Sequence, residues 1–359
     1  LVIGIVLLKT PVGTGAFTLV RTFVGRVLAF SEQGIGVVFG ALGRPYGTPG
    51  HPVVIDGVSG DPVALGLVVA FHILPVLIFV GGLTGLLIHL RAVKVMVELL
   101  TRGLAKLVGT GGVESLVAVT NVFLGHVQAP LLVRPYLQSL STPELFTIMT
   151  AGFATLASGV LAVYIQLGID AGHLVTASVL SAPAALTMSQ LVAPRGPVRP
   201  VQEGRMSNDD ANVIDAISNG TLAGLQIALS VAALLIAFVA LIALIDWPLG
   251  ALGTSLSELL GYVFLPIAWL IGIESGDLLQ VGSLLGTKIA LNEFLAYTEM
   301  LRIQDSLSPR SIVLATYALC GFACFSSVGV LVGSLSALVP ERRVELSRIA
   351  LRAMAAGAL

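Results

Sequence analysis

Residues 286–297 read Gly286-Thr-Lys-Ile-Ala-Leu-Asn-Glu-Phe-Leu-Ala-Tyr297, an apolar segment that holds a lysine, an asparagine and a glutamate together. An ionisable side chain at membrane depth is costly, so it usually faces a cavity and indicates an ion or solute path. The carboxylate of Glu293 can accept two hydrogen bonds from a diol, although Lys288 could instead neutralise it. Asn292 could cap a helix or contact the solute, and the sequence favours neither. The segment predicts a polar site inside a membrane protein.

The composition of the whole chain is also that of an integral membrane protein. Hydrophobic residues make up 56% and charged residues 11%, whereas a soluble domain carries about 25% charged residues. The net charge of −1 argues against a broad basic surface, so we expect a lipid bilayer and no nucleic acid as partner. Metalloprotease, serine-hydrolase and P-loop motifs are absent from the sequence, and we therefore expect no enzyme. The predicted location is the cell membrane, with several spans.

A repeated motif divides the chain. Residues 152–160 read Gly152-Phe-Ala-Thr-Leu-Ala-Ser-Gly-Val160, and residues 321–330 match them, with one insertion, as Gly321-Phe-Ala-Cys-Phe-Ser-Ser-Val-Gly-Val330. Each copy follows an apolar segment that polar residues interrupt, residues 113–133 and 274–300. Interrupted segments of this kind are typical of re-entrant hairpins, because freed backbone groups are tolerated where they line a cavity. The sequence thus predicts two related units, each with a hairpin.

The positions of the basic residues predict that the two units are inverted. Cytoplasmic loops carry the excess of Lys and Arg, which places residues 91–106, 195–205 and 342–352 inside. Residues 168–172 and 246–257 contain neither residue type and are placed outside. The first hairpin is then entered from inside and the second from outside. Inverted units around a midplane site are typical of secondary transporters.

The expected fold is an all-α polytopic membrane protein built from inverted repeats, each a re-entrant hairpin plus two transmembrane helices, with scaffold and interfacial helices. Amphipathic residues 93–108 and residues 255–271 are predicted interfacial helices. About 20 apolar residues cross a bilayer, and the predicted spans are residues 63–90, 145–167, 174–192, 222–245 and 312–338, with a final clipped span at 344–359. The parts are N-terminal scaffold helices at 1–92, a first repeat at 93–194, a loop and scaffold helix at 195–246, and a second repeat at 247–359. We expect an N-terminal piece to be missing.

The first hairpin offers its own polar residues. His126 and Gln128 lie at its predicted tip. A lone intramembrane His is often a packing residue, but at a tip that faces an inverted partner it is as plausibly a substrate contact or a proton-sensitive switch. Asn121 and Thr155, together with nearby backbone carbonyls, supply neutral oxygens that suit Na⁺. Small residues such as Ser327 in membrane helices more often serve close packing than binding.

With these residues in view, the chain resembles the concentrative nucleoside transporter family from about Gly34 to its end. The most specific matching pieces are Gly112-Val-Glu-Ser115, Ala129-Pro-Leu-Leu-Val-Arg-Pro-Tyr136, Ile148-Met-Thr-Ala-Gly-Phe153, Ser181-Ala-Pro-Ala184, Asn292-Glu-Phe-Leu-Ala-Tyr297 and Ala315-Thr-Tyr-Ala-Leu-Cys-Gly-Phe-Ala323. The resemblance implies a homotrimer whose protomers each have a scaffold and a mobile transport domain. It also implies nucleoside uptake driven by Na⁺ or H⁺ through an elevator-like shift.

The resemblance also implies a set of site residues. Glu293 matches the family's glutamate that binds ribose hydroxyls, and Phe322 and Ser327 match residues on the next helix that line the site. An asparagine of that helix is replaced here by Cys324. The possible Na⁺ site that the family implies comprises Asn121, Leu124, Thr155 and Leu156. No other cofactor is expected.

The first hairpin departs from the family pattern. The family reads Gly-Gln-Thr/Ser-Glu where this chain reads Gly125-His-Val-Gln128. Val127 replaces a hydroxyl group by methyl groups, and Gln128 replaces an acid. A polar site rejects ligands that leave its groups unpaired, so these changes should alter the substrate preference strongly. The alternatives left open are a nucleoside-like solute, a different small polar solute on the same fold, and a solute-binding protein or sensor without transport.

Overall fold

The computed structural model describes residues 11–43, 68–108, 112–194 and 211–359, and the regular elements within these ranges are all helical. The helices of the first half are α1 Pro11–Phe39, α2 Val69–His72, α3 Leu74–His89, α4 Ala92–Val108, α5 Gly112–Leu124, α6 Arg134–Leu137, α7 Thr142–Ala154, α8 Ser158–Leu167 and α9 Ala171–Val192. Those of the second half are α10 Val213–Gly250, α11 Leu256–Ile271, α12 Leu278–Ala290, α13 Glu293–Ile303, α14 Pro309–Leu319, α15 Phe325–Leu338 and α16 Arg343–Ala358. The start of the predicted span 63–90 lies outside the described residues.

Four stretches of the described residues are long and apolar enough to cross a membrane: Val69–His89, Thr142–Leu167, Ala171–Val192 and Val213–Gly250. Helix α10 has 38 residues, which at about 1.5 Å per residue exceeds the hydrocarbon core of about 30 Å. Its N-terminus is capped by Asn212, whose side-chain oxygen accepts from the Asp215 amide at 3.0 Å. Helix α10 therefore tilts or extends beyond the bilayer.

Two predicted spans are not continuous. Within the predicted spans 145–167 and 312–338 the helix is interrupted, because α7 ends at Ala154 before α8 begins, and α14 ends at Leu319 before α15 begins. Gly321, in the second break, has a φ of +121°. A Cβ there would lie 2.7 Å from the Ala154 carbonyl oxygen. The two breaks therefore pack against each other, and hydropathy does not register such a contact.

The order of elements repeats as the sequence motif predicts. In the first half a 13-residue helix, α5, leads through a turn and a short 3₁₀ segment to α6, and the broken helix α7/α8 and then α9 follow. In the second half a 13-residue helix, α12, turns into α13, and the broken helix α14/α15 and then α16 follow. That these hairpins enter the bilayer without crossing it stays a prediction.

The two halves share both of their main hydrophobic cores. One core joins Val117 of the first hairpin and Phe153 of α7 to Leu331 of α15 and Met354 of α16. The other joins Tyr164 of α8 to Leu284 and Tyr297 of the second hairpin. Because each core takes residues from both repeats, the repeats interlock into one body.

Helices α3 and α10 form a tightly packed pair beside this body. Both carry a Gly-x-x-x-Gly spacing, Gly81 with Gly85 and Gly220 with Gly224. A Cβ at Gly220 would collide with the carbonyl group of Gly81, and a Cβ at Gly81 would collide with that of Gly220. Small residues let membrane helices approach at backbone distance. We call this pair the α3–α10 wall.

Candidate functional site

A cavity of about 430 Å³ lies where the hairpin tips, the helix breaks and the α3–α10 wall meet. The first hairpin contributes residues 124–128, and the second contributes residues 292–294. The α3–α10 wall contributes apolar side chains such as Leu77 and Ile227. Small-solute sites are mostly apolar with a few placed polar groups, which is the character of this cavity.

Glu293 is positioned by the start of a helix and by a tyrosine. It is the first residue of α13, and Asn292 caps that helix by accepting from the Leu295 amide at 2.9 Å. The Glu293 side chain is buried, and its Oε1 accepts a hydrogen bond of 3.0 Å from the Tyr164 hydroxyl. Tyr164 is itself fully buried, and its ring packs on that of Tyr297 with centroids 4.6 Å apart. Tyr164 thus fixes one carboxylate oxygen.

The sequence interpretation missed Tyr164. The available signal was a tyrosine within an apolar span, since a buried Tyr hydroxyl usually finds a hydrogen-bond partner. Asn292 both caps α13 and lines the cavity, so the two readings left open for it describe one residue.

Lys288 does not neutralise Glu293 by direct contact. Its Nζ donates to the Ala318 carbonyl at 2.9 Å and lies 3.5 Å from the Cys320 carbonyl oxygen. The ion pairs found among the described residues, within 4.0 Å, do not include Lys288 with Glu293. The carboxylate therefore keeps its acceptor capacity for a ligand in the cavity.

The tip of the first hairpin brings His126, Val127 and Gln128 to the cavity. The His126 ring packs on Phe322 with centroids 4.7 Å apart. Both ring nitrogens of His126 are buried, and within the described part of the chain neither has a hydrogen-bond partner. Leaving such groups unpaired costs about 1–3 kcal/mol, so contact with a polar ligand would satisfy them.

The break between α14 and α15 supplies a third side of the cavity. Phe322, Ser326 and Ser327 line it, whereas Cys324 is buried and does not. The Cys324 Sγ lies 3.0 Å from the Ser327 Oγ and 3.2 Å from the Ser326 Oγ. The cysteine expected at the site thus lies behind the two serines.

The residues expected to bind Na⁺ lie at the C-terminal ends of α5 and α7. In the orientation that satisfies its amide, Asn121 donates to the Gly125 carbonyl at 3.3 Å and accepts from the Gly152 amide at 3.2 Å. The Thr155 hydroxyl donates to the Ala151 carbonyl at 2.9 Å. Helix C-termini carry carbonyls without intrahelical partners and favour positive charge.

Leu124 and Leu156, the other two residues expected at the Na⁺ site, lie at the end of α5 and just after α7. Leu124 is the last residue of α5, and the Leu156 carbonyl accepts a long hydrogen bond of 3.4 Å from Ser178. The Ser158 hydroxyl donates to the Phe123 carbonyl at 2.7 Å and so holds α8 against the end of α5. Neutral oxygens at the ends of broken helices are the usual Na⁺ ligands of transporters, and the residues present fit that group.

A polar position on α10 also escaped the sequence interpretation. Gln226 and Ser230 line the cavity, and they are the only polar residues between Leu222 and Ile245. The Ser230 hydroxyl donates to the backbone carbonyl of Gln226 at 2.8 Å, within its own helix. An isolated amide in an otherwise apolar membrane helix was the available signal.

Two family profiles match this chain. The family profile described as Na⁺ dependent nucleoside transporter C-terminus matches residues 173–359, and the one described as Nucleoside recognition matches residues 70–170. The uncharacterized transporter YutK of Bacillus subtilis is 37% identical over 99% of this chain and 86% of its own. The nucleoside permease NupC of Helicobacter pylori is 34% identical over 99% and 85%. A solved structure of CNTnw in an inward-facing substrate-bound state is 34% identical, with a TM-score of 0.91 over 99% of this chain and 86% of that one.

Proposed function

The chain belongs to the concentrative nucleoside transporter family, whose members are multi-pass transporters of the cell membrane and not enzymes, and on that premise we propose that it is a cation-coupled nucleoside symporter with an elevator-type mechanism. The observation that carries the proposal is the buried Glu293 carboxylate at the cavity, with one oxygen held by Tyr164. Its remaining acceptor capacity suits the two hydroxyls of a ribose ring. Ser327 would add a further hydrogen bond on the same side.

The opposite end of the cavity would receive the base. Phe322 offers an aromatic face for stacking, and His126 and Gln128 offer donors and acceptors in place of an acid. Neutral groups of this kind can pair with the mixed donor and acceptor edge of a nucleobase. Val127 would make an apolar contact there. We therefore propose that this protein prefers a different nucleobase from family members whose first hairpin reads Gly-Gln-Thr/Ser-Glu.

The coupling cation, Na⁺ or H⁺, would act at the corner formed by Asn121, Leu124, Thr155 and Leu156. Asn121 joins the end of α5 to α7, immediately before the tip that carries His126. A cation held there would order the tip before the solute binds, which raises solute affinity without touching the solute. Neutral oxygens favour Na⁺ over a proton as the ion.

The interlocked repeats and the α3–α10 wall support the proposed motion and assembly. The repeats share two cores and would move as one body, while backbone contacts hold α3 against α10. The second core also includes Leu77 of α3 and Ala228 of α10, so the motion would slide the repeats along apolar side chains of the wall. Helix α10 is largely exposed, since only 6% of its most apolar stretch is buried within the protein. Its exposed surface would be covered by lipid and by neighbouring protomers of a homotrimer.

The proposal is tested by thermal stabilisation of the purified protein with nucleosides, nucleobases and sugars, with and without Na⁺. A ligand that binds only the folded state raises its stability by mass action. We expect nucleosides to stabilise the protein, more so in Na⁺, and to be taken up by proteoliposomes along a Na⁺ or H⁺ gradient. Stabilisation by another polar solute alone would overturn the substrate, and binding without uptake would indicate a sensor.

Asn121→Ala is expected to weaken the Na⁺ dependence of nucleoside binding. The variant removes the amide that would coordinate the ion, so the Na⁺ concentration for half-maximal effect should rise about tenfold, within the usual range of coupling between sites. Nucleoside affinity at saturating Na⁺ should change less. Calorimetric titrations over a NaCl series, at constant ionic strength, measure both.

The matched control is Ser189→Ala, since Ser189 is equally buried but its hydroxyl serves its own helix at the Leu186 carbonyl, 2.8 Å away. This control should leave the Na⁺ dependence unchanged. An unshifted Na⁺ curve in Asn121→Ala would remove Asn121 from the cation site.

A further inference from the structure

The two inverted repeats place different groups at their helix breaks. Gly152 corresponds to Gly321 in the repeated motif, so Ala151 corresponds to Cys320 and Thr155 to Cys324. In both halves a 13-residue hairpin helix, α5 or α12, ends beside the break of the broken helix that follows it. The corner proposed for the coupling cation in the first half therefore has a counterpart in the second half.

The first of these corners presents oxygens. The Asn121 amide contacts the main chain of α7 at Gly152, and the Thr155 hydroxyl contacts the Ala151 carbonyl. The Asn121 amide and the Thr155 hydroxyl are both neutral. A positive charge at this corner would therefore come from a bound cation.

The second corner already contains a positive charge. Lys288, in the last turn of α12, donates to the Ala318 carbonyl at 2.9 Å and lies 3.5 Å from the Cys320 carbonyl oxygen, the counterpart of Ala151. The threonine hydroxyl is replaced there by the thiol of Cys324, a poor ligand for a hard cation. Two features that would hold Na⁺ are therefore missing, and an ammonium group lies against the carbonyls instead.

The ammonium group of Lys288 is buried and is stabilised by backbone carbonyls instead of an acidic side chain. Its side chain is 2% exposed, and the ion pairs found among the described residues do not include it. The end of α14 provides the partial negative charge that stabilises a cation at a helix C-terminus. A bound cation would be held in the same way.

We propose that Lys288 is a tethered cation that fills, in the second repeat, the place which the coupling cation takes in the first, so that one cation moves with each solute rather than two. This inference rests on the proposed cation coupling. The number of cations moved per solute would then be set by two residues: Asn121, which leaves room for a cation in the first repeat, and Lys288, which takes that place in the second.

The decisive experiment measures the charge moved per nucleoside by the unaltered protein in proteoliposomes. The membrane potential that stops net flux is recorded at fixed gradients of uridine, or of the nucleoside that stabilises the protein most, and of Na⁺ or H⁺. We expect one elementary charge per nucleoside. Two charges would overturn the tethered cation while leaving the proposed function intact. Uptake that ignores both cation gradients would overturn the proposed coupling and this inference with it.

A second arm uses Lys288→Asn, which supplies at the second corner the amide that Asn121 supplies at the first. The Na⁺ dependence of nucleoside binding should change from a Hill coefficient of about 1 to above about 1.5, because a second ion can now bind. Lys288→Met, which supplies neither charge nor oxygen, should keep the one-site curve. A one-site curve in folded Lys288→Asn would overturn the inference, and if that variant does not fold, the charge ratio of the unaltered protein decides.

Discussion

Glu293→Gln is expected to weaken nucleoside binding about 100-fold while leaving the protein folded. Hydrogen bonds to a charged group contribute about 1.5–3 kcal/mol each, and losing about 2.7 kcal/mol corresponds to about 100-fold in the dissociation constant. The amide has the same shape but presents one donor to ligand hydroxyls that are themselves donors. Calorimetric titration in saturating Na⁺ measures the affinity. The melting temperature of Glu293→Gln without ligand should be unchanged or slightly raised, since a buried charge is removed.

Tyr164→Phe provides a graded version of the same experiment. It removes the hydrogen bond that fixes the Glu293 Oε1 but leaves the carboxylate, so affinity should fall by a smaller factor of about tenfold, the value of one hydrogen bond. The matched control is Tyr297→Phe, because Tyr297 stacks on Tyr164 in the same core but donates to the Thr316 carbonyl at 2.8 Å. The control should lower stability and keep affinity. For Glu293→Gln, a nucleoside affinity within threefold of that of the unaltered protein would contradict the assignment of the carboxylate to the binding site.

Gly220→Val should have the largest effect on stability. The new side chain would meet the backbone of α3 at Gly81 and Gly85, which cannot move aside as a flexible side chain can. Overpacking usually costs about 1–3 kcal/mol and occasionally more, and a backbone obstacle places this variant at or above the upper end. Thermal melts of purified protein, together with the yield of folded protein, measure the loss.

Gly329→Val is the matched control, since the chain offers the same spacing in a different setting. Gly329 and Gly333 of α15 also form a Gly-x-x-x-Gly pair, yet a Cβ at Gly329 meets nothing within 4 Å. This variant should melt near the unaltered protein. Equal melting temperatures for the two variants would show that α3 and α10 do not pack through their glycines.

Much of the fold could be predicted from the sequence because its signals are local. Apolar runs, basic loops and the repeated Gly-Phe-Ala motif are properties of neighbouring residues, and they indicated inverted units, each with an interrupted segment. Glu293 stood out for a similar reason, since a carboxylate in an apolar segment needs an explanation wherever the rest of the chain lies.

The breaks within two predicted spans could not be found in this way. Hydropathy averages over a window and measures whether a stretch is apolar, whereas the break at Gly321 depends on the Ala154 carbonyl in the other repeat. The same limit applied to glycine spacing: the two pairs at Gly81 and Gly220 and the pair at Gly329 read alike, but only the first two pairs meet another backbone.

The sequence by itself determined that this protein is an all-helical membrane protein of two related units, which the basic residues predict to be inverted, with an acidic residue in the second hairpin and an altered tip in the first. Only the tertiary structure decided what each polar group faces. Tyr164 lies 129 residues from the Glu293 that it orients, and Lys288 bonds the end of a helix 30 residues away instead of that carboxylate. The physical reason is that a buried polar group is satisfied by its neighbours in space, and chain separation carries no information about which neighbour that is.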